Sequence, residues 1–530
     1  MARSRDVVIG VDIGTTATKV IAYDTSGTAV ATASESYPLN QPEPGAAEQD
    51  PQQILDAVGA AVRSVVAGLD GAPVAGLSFS AAMHSLLGLD ADGRPLTASI
   101  TWADTRAAEQ ADRLRAAGAS LDLQKRTGTP VHPMSPMVKL MWLHQTQPEL
   151  VSSVRHWVGI KEFVLRQWCG ELVEDSSIAS ATGLLSLETL DWDAEALSLA
   201  GVTRDQLPRV VPTTEVVGGL SRDAAVELGL PAGTKIVIGA SDGPLANLGI
   251  GAVHPGQAAC SIGTSAALRV ITDRAIVDEQ GGLFCYAFRP ERWVVGGALN
   301  NGGVVLAWAG DALAPDVAER LGGDTAQALT ELAAKAPAGA GGLVMLPYLL
   351  GERAPHWSSL PRGAYIGLTR AHRREHLVRA ALEGVCLQLA LVLASMTSAG
   401  IEIRELRATG GFARSAFWRQ LLADVLGIPV HFPQGTEGSG FGAALLGMEA
   451  LGLVPSMDVA ADLVRVTSTV RPDPEAADLY GRLLPLFGGL FGVLEPAFHS
   501  LRDLSDVLDM PAVPSPAAQP PVPLSAPSSP

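Results

Sequence analysis

The sequence predicts an α/β protein of two domains facing one cleft, and three observations carry that expectation. The chain has 530 residues, beyond the size at which a single hydrophobic core stops growing. Short β-branched runs alternate with helical stretches, which favours layers of helix on sheet. A strand-turn-strand pattern built on Ile-Gly-Thr opens each half, at Gly14 and again at Gly263, 249 positions later, as two related domains would produce.

In chain order, residues 7–13 (Val-Val-Ile-Gly-Val-Asp-Ile) read as a strand, Gly14-Thr15-Thr16 as a hairpin tip, and the following run to Asp24 as the returning strand, with a turn at Ser26-Gly27. A helix is expected over 52–69 and a strand over 74–79. Residues 236–240 form another buried strand that ends at Ser241-Asp242-Gly243, and the Gly-rich stretch 249–252 marks the domain boundary. The N-terminal domain is thus expected over 1–251 and the C-terminal domain over 252–495. The second domain opens with a strand at 258–262, the turn Gly263-Thr264-Ser265 and a strand at 267–271; later, residues 408–415 lead into an amphipathic helix at 416–426. Gly438, Gly440 and Gly442 lack the G-x-G-x-x-G spacing and read as close helix packing. Residues 496–530 form an extension that from about 511 is mostly Pro, Ala and Ser, too poor in large apolar groups to order itself.

Hydrophobic residues make up 47% and charged residues 18%, the balance of a well-packed globular chain. The net charge of −17 opposes general affinity for nucleic acid or anionic membranes, because the protein's own field repels phosphate. An anionic ligand then needs local help from backbone amides, a cation or a few basic side chains. Cys169, Cys260, Cys285 and Cys386 are far apart and without metal-ligand spacing, which reads as buried free thiols in a reducing compartment. No signal-peptide core precedes the first strand and no run of about 18 uncharged apolar residues is seen, so a cytoplasmic protein with no membrane partner is expected.

The chemistry concentrates at the turns. Two small-residue turns, one per half, suit a polyphosphate, since the backbone can approach closely and amides and hydroxyls donate to phosphate oxygens; either alone reads first as an ordinary hairpin turn, and the pair, with Asp12 beside the first, favours phosphate. No P-loop string and no protein-kinase motif set occurs. Asp12 closes an apolar strand, where a carboxylate is costly unless it meets a cation or water. It suits a magnesium ion held through water or a hairpin cap, and Lys19 either pairs with it, reaches a phosphate or stays solvated. Asp242 follows a buried strand at its carboxyl end, where α/β proteins place ligands; it also suits a helix N-cap. One carboxylate within reach of an acceptor hydroxyl is sufficient as base in phosphoryl transfer. The segments Ser80 to His84 and Thr101 to Arg106 supply an aromatic face, a carboxylate and an imidazole, the set a polyol site needs, although His84 or Trp102 alone is more often a core residue.

The order of these motifs resembles the FGGY carbohydrate kinases of the actin-like ATPase superfamily over roughly residues 7–490. The matching strings are Asp12-Ile13-Gly14-Thr15-Thr16, Met83-His84, Trp102-Ala103-Asp104, Asp242-Gly243, Ile262-Gly263-Thr264-Ser265 and Thr409-Gly410-Gly411. Within the family, the stretch Ser78 to Ser85, His132-Pro133-Met134-Ser135-Pro136, Gly159-Ile160-Lys161-Glu162 and Gly351-Glu352-Arg353-Ala354-Pro355 resemble members that act on gluconate, ahead of those that act on xylulose. The resemblance implies two ribonuclease H-like domains flanking a central cleft, the first binding sugar and the second ATP. It implies that Asp242 deprotonates the acceptor, that Met83, His84, Trp102 and Asp104 line the acceptor site, and that Gly14, Thr15, Thr16, Gly263 and Thr264 approach the phosphates. Gly303 is then expected near them, Gly410, Gly411 and Ser415 beside the adenosine, and Mg2+ at Asp12. Lys161, His84 and Arg106 are the candidates for a substrate carboxylate. The expected partners are ATP and a small sugar or sugar acid, with no nucleic acid and a homodimer left open; the expected reaction takes D-gluconate to 6-phosphogluconate. A non-catalytic sugar sensor on the same fold is the alternative from another class, and intact Asp12, Asp242 and both turns speak against it.

Overall fold

The computed structural model describes residues 6–317, 325–434 and 438–504; the Pro-rich stretch from 511 lies outside them. Contacts divide the chain into two units, each discontinuous in sequence. The first comprises Met1–Pro255, Arg269–Val295 and Glu437–Val464, the second Gly256–Leu268, Gly296–Thr436 and Arg465–Pro530.

In the first unit β1 (Val7–Ile13), β2 (Ala17–Asp24), β3 (Ala29–Ser36), β4 (Val74–Ala81), β5 (Val216–Gly219) and β6 (Lys235–Ser241) form a mixed sheet in the order β5-β6-β4-β1-β2-β3. The β1–β4 and β4–β6 pairs are parallel and the others antiparallel. β1 is apolar on both faces, as a covered central strand requires. Val7, Ile9, Val11 and Ile13 join one core with Ile54, Val58 and Val62 of α1 (Pro51–Ala67). Asp50 caps α1 by accepting from the amides of Gln52 and Gln53, and Pro51 opens its first turn.

The other face of β1 receives the helix Gly438–Ala450 at unusually short range. A Cβ on Gly10 would lie 2.3 Å from the Gly440 carbonyl oxygen, and one on Gly447 would meet Ser78 and Val8 at 2.7 and 2.9 Å. Two further helices matter for the site: α2 (Pro136–Thr146), capped by Ser135, and α3 (Asp242–Gly249). A Cβ on Gly442 would come within 2.1 Å of the Leu245 carbonyl oxygen in α3, so the glycine run does serve helix packing.

The second unit places β7 (Gln257–Ile262), β8 (Glu405–Thr409), β9 (Val430–Pro433) and β10 (Val466–Val470) side by side in that order. The first three are parallel and β10 runs antiparallel to β9. Its helices include α4 (Gly303–Leu313), α5 (Arg374–Ser398), α6 (Ala416–Leu426) and α7 (Pro474–Asp503). Within α5, Arg379 Nε lies 2.7 Å from Glu383 Oε1, which also accepts the Tyr480 hydroxyl of α7 at 2.6 Å. This buried group ties the two helices together.

α5 and α7 are each long and apolar enough to cross a membrane, which corrects the expectation that no such segment exists. The apolar window of α5 is 72% buried inside the fold, and core helices pass the same length and hydropathy test. Cys260, Cys285 and Cys386 are buried and Cys169 half-buried, all as free thiols.

Candidate active site

Parallel pairing aligns the carboxyl ends of β1, β4 and β6, with Ile13 opposite Ala81 and Ala81 opposite Ser241. Asp12, the Met83-His84 step and Asp242 therefore leave the sheet on adjacent strands at the edge where α/β proteins place ligands. The register between β4 and β6 shifts between Val237 and Ala240. Gly239 sits in this irregularity with φ 75°, and a Cβ there would lie 1.7 Å from the Phe79 carbonyl oxygen, so only glycine fits the bulge.

Asp242 is the first residue of α3, while Ser241 occupies the N-cap position; the carboxylate is not the helix cap. Ser241 Oγ lies 2.6 Å from Ser177 Oγ. Met83 covers the next residue, since a Cβ on Gly243 would meet Met83 Cε at 2.9 Å and Arg269 Nε at 3.2 Å. Asp12 Oδ2 accepts from Ser439 Oγ at 2.7 Å, and Lys19 stands opposite it in the hairpin with an exposed side chain.

The first turn is held by three side chains from elsewhere in the first unit. Trp102 Nε1 donates to Thr15 Oγ1 at 2.9 Å, Gln49 donates to the Thr15 carbonyl at 2.6 Å, and the Tyr37 hydroxyl donates to the Gly14 carbonyl at 2.6 Å. Thr16 is exposed at the tip. His84 is buried with φ 68°, and its Nδ1 lies 2.7 Å from the Ala181 carbonyl. A carbonyl only accepts, so Nδ1 carries the proton.

Asp104 is 1% exposed and accepts from the Ala47 amide and from the Arg106 guanidinium at 2.7 Å. Arg106 also pairs with Glu43 and Glu48 and lies over the Trp142 ring. Three carboxylates hold this cation, which removes Arg106 from the candidates for a substrate carboxylate. Arg106→Leu would leave Asp104 buried without its counter-charge; chemical denaturation should show a loss of about 3 kcal/mol.

Lys161 is a second correction, for it is fully buried. Its Nζ lies 2.7 Å from Asp175 Oδ2 and 2.9 Å from Glu162 Oε1. Burial alone lowers its pKa, yet Asp175 and Glu162 hold it above the usual lysine value, while burial pushes Glu162 up. Asp175 Oδ1 accepts from the amides of Ser177 and Ile178, and Ser177 in turn meets Ser241. Lys161 thus supports the backbone beneath Asp242 from inside the core rather than facing a ligand.

Two cations that sequence reasoning passed over stand at the same edge. Arg269 approaches Gly243 from a strand that otherwise reads as apolar. Lys139, in α2, is 0% exposed, and its Nζ donates to the carbonyls of His84 at 2.6 Å, Thr101 at 2.7 Å and Ile100 at 3.3 Å. Burial pulls its pKa down, with Asp104 opposing.

In the second unit, a cavity of about 230 Å3 is lined by Gly263, Thr264, Gly303, Gly411 and Ser415, with Phe412 and Trp418 among its apolar walls. Strand pairing explains the convergence: Ser261 is opposite Thr409, so the turns after β7 and β8 emerge together. Gly303 donates its amide to the Gly263 carbonyl, and the amides of Gly302 and Val304 reach the Thr264 carbonyl, which docks the N-terminus of α4 on the turn. These amides are taken up by the turn, so what the turn and helix end offer a ligand is close approach along glycine backbone. Gly410 has φ 118° and ψ 175°, and Ser415 caps α6 by accepting from the Trp418 amide.

Glu352 braces this arrangement from behind. Fully buried, it accepts from the amides of Asn300 and Arg353 and from the Asn301 side chain, just before Gly302; burial pushes its pKa up to about 7 against these hydrogen bonds. Among the described residues no group of three or more His, Cys, Asp or Glu side chains is arranged to hold a metal. A single half-buried carboxylate such as Asp12 fits a magnesium ion that keeps its waters and takes its other ligands from substrate phosphates.

Two α/β units, one with carboxylates at aligned strand ends and one with a glycine-lined cavity, suit a phosphotransferase. Residues 7–249 match the N-terminal domain of the FGGY family of carbohydrate kinases and residues 258–451 its C-terminal domain. The chain belongs to the FGGY family of carbohydrate kinases, so ATP is its phosphoryl donor. It is 41% identical over 500 residues to a gluconokinase of Bacillus subtilis (strain 168), covering 94% of this chain and 98% of that one. Two solved structures from Lactobacillus acidophilus, a gluconate kinase and a ligand-bound xylulose kinase, are each 36% identical with a TM-score of 0.89. Each alignment covers 94% of this chain, and 99% and 100% of those chains respectively.

Proposed function

We propose that this carbohydrate kinase transfers the γ-phosphoryl group of ATP to the C6 hydroxyl of D-gluconate, with Asp242 as general base. The observation that carries the reading is the alignment of Asp12, Met83-His84 and Asp242 on three adjacent strand ends of the first unit. The similarity to a gluconokinase over 94% of the chain supports gluconate as the acceptor.

In this reading, Asp242 accepts the hydroxyl proton as the oxygen attacks phosphorus, and ADP leaves on the opposite side. Met83 and Trp102 offer surfaces to the carbon chain, while His84 and Asp104 keep the acceptor loops in shape. Thr264, Gly263 and Gly303 hold the phosphates, with Gly14, Thr15 and Thr16 approaching them from the first turn; Gly410, Gly411 and Ser415 border the adenosine. Magnesium, held at Asp12, offsets charge on the phosphates when bound. Lys161 and Arg106 are engaged by their own carboxylates, which leaves His84 of the three candidates for the gluconate carboxylate. We further infer action in the cytoplasm.

The test is product analysis. Phosphorus–proton correlation spectra of the product should place phosphate on the C6 methylene of gluconate; phosphate on a different carbon, or none, would refute the assignment.

A further inference from the structure

We infer that Lys139 is a positioning residue for the acceptor site, its ammonium tying the Met83-His84 loop to the Thr101-Trp102 loop. The inference rests on the acceptor reading above. Lys139 is in α2, outside both loops, and reaches them only through backbone carbonyls. Three N–H donors meet three carbonyl oxygens, those of His84, Ile100 and Thr101, so the ammonium is saturated without any carboxylate as direct partner.

The choice of partners points to the site. His84 holds a left-handed backbone, φ 68°, which a non-glycine residue keeps only when its surroundings enforce it. The lysine bonds to the carbonyl of that same residue. Thr101 immediately precedes Trp102, whose indole reaches the phosphate-side turn through Thr15. The Ile100 carbonyl already accepts the Leu86 amide at 3.0 Å, so the bonds to His84 and Thr101, the two shorter ones, are those that join loop to loop.

Burying an ammonium is unfavourable, and an apolar side chain of similar length would pack at that depth without the desolvation cost. What the lysine adds is direction. It fixes two carbonyls, and with them the side chains of Met83, His84 and Trp102, in one relative placement, as fully satisfied buried polar groups do.

The test uses the full chain with Lys139→Met, which keeps the length and loses all three donors. We expect the gluconate KM to rise 10- to 100-fold, the ATP KM to stay within twofold, and amide hydrogen exchange to accelerate in residues 83–86 and 100–106. Should that variant melt below the assay temperature, Lys139→Gln, which retains two donors, is expected to raise the gluconate KM at least fivefold with the same ATP KM. A folded variant whose gluconate KM is within twofold of wild type overturns the inference. So do parallel rises in both KM values, or the failure of both variants to fold, since the lysine would then serve the core. Absence of sugar-stimulated ADP release in the wild-type chain contradicts instead the functional reading on which this role depends.

Discussion

Asp242→Asn should lower kcat with gluconate by about 1000-fold, equivalent to about 4 kcal/mol of transition-state stabilisation, while the gluconate KM stays within about fivefold. The substitution preserves size and hydrogen-bonding shape at the first residue of α3, and the cap position belongs to Ser241, so the helix retains its start. What disappears is the capacity to take a proton. A loss in kcat with KM held is the signature of an interaction used in the transition state. Turnover within tenfold of wild type would reject Asp242 as base and return it to a structural role.

The second large effect is expected in the nucleotide half-site. Gly410→Ala should raise the ATP KM at least tenfold and lower stability by about 3 kcal/mol, with the gluconate KM little changed. Two causes add. The backbone at φ 118°, ψ 175° belongs almost only to glycine, costing on the order of 1–3 kcal/mol for another residue. A Cβ there would also fall 2.2 Å from the Ile262 carbonyl oxygen, one residue before Gly263, so relief must displace the turn that lines the pocket. Saturation kinetics in ATP and chemical denaturation check the two parts separately. A stable variant with an unchanged ATP KM would show that the pocket tolerates what its backbone geometry forbids.

How much of this was legible in the sequence depended on range. The hairpin at Gly14, the strands before Ser80 and Ser241, and the helix over 416–426 come from local alternation and turn residues, and they stand where local reasoning puts them. Lys161 shows where such reasoning stops. It adjoins Glu162 in sequence, but its shorter ion pair is to Asp175, on a strand end whose approach no local pattern reveals. Lys139 drew no reading at all: it is the one cation in a run of apolar residues on a helix buried almost all round, and only the tertiary fold shows the three carbonyls it meets. The composition of the first unit was hidden for the same reason, since Arg269–Val295 and Glu437–Val464 join it through long-range contacts. Arg269 reaches Gly243 by that route.

Function was more legible than geometry because the motifs sit at turns and strand ends, where polar residue types stand out against the apolar strands before them. The acceptor itself rests on similarity together with the chemistry of the first unit. A coupled assay of ADP release with gluconate, xylulose, glycerol and ribulose decides the acceptor. Gluconate should give the highest kcat/KM by at least tenfold. Release favouring xylulose would contradict the acceptor, and release stimulated by none of the four would contradict the kinase account itself.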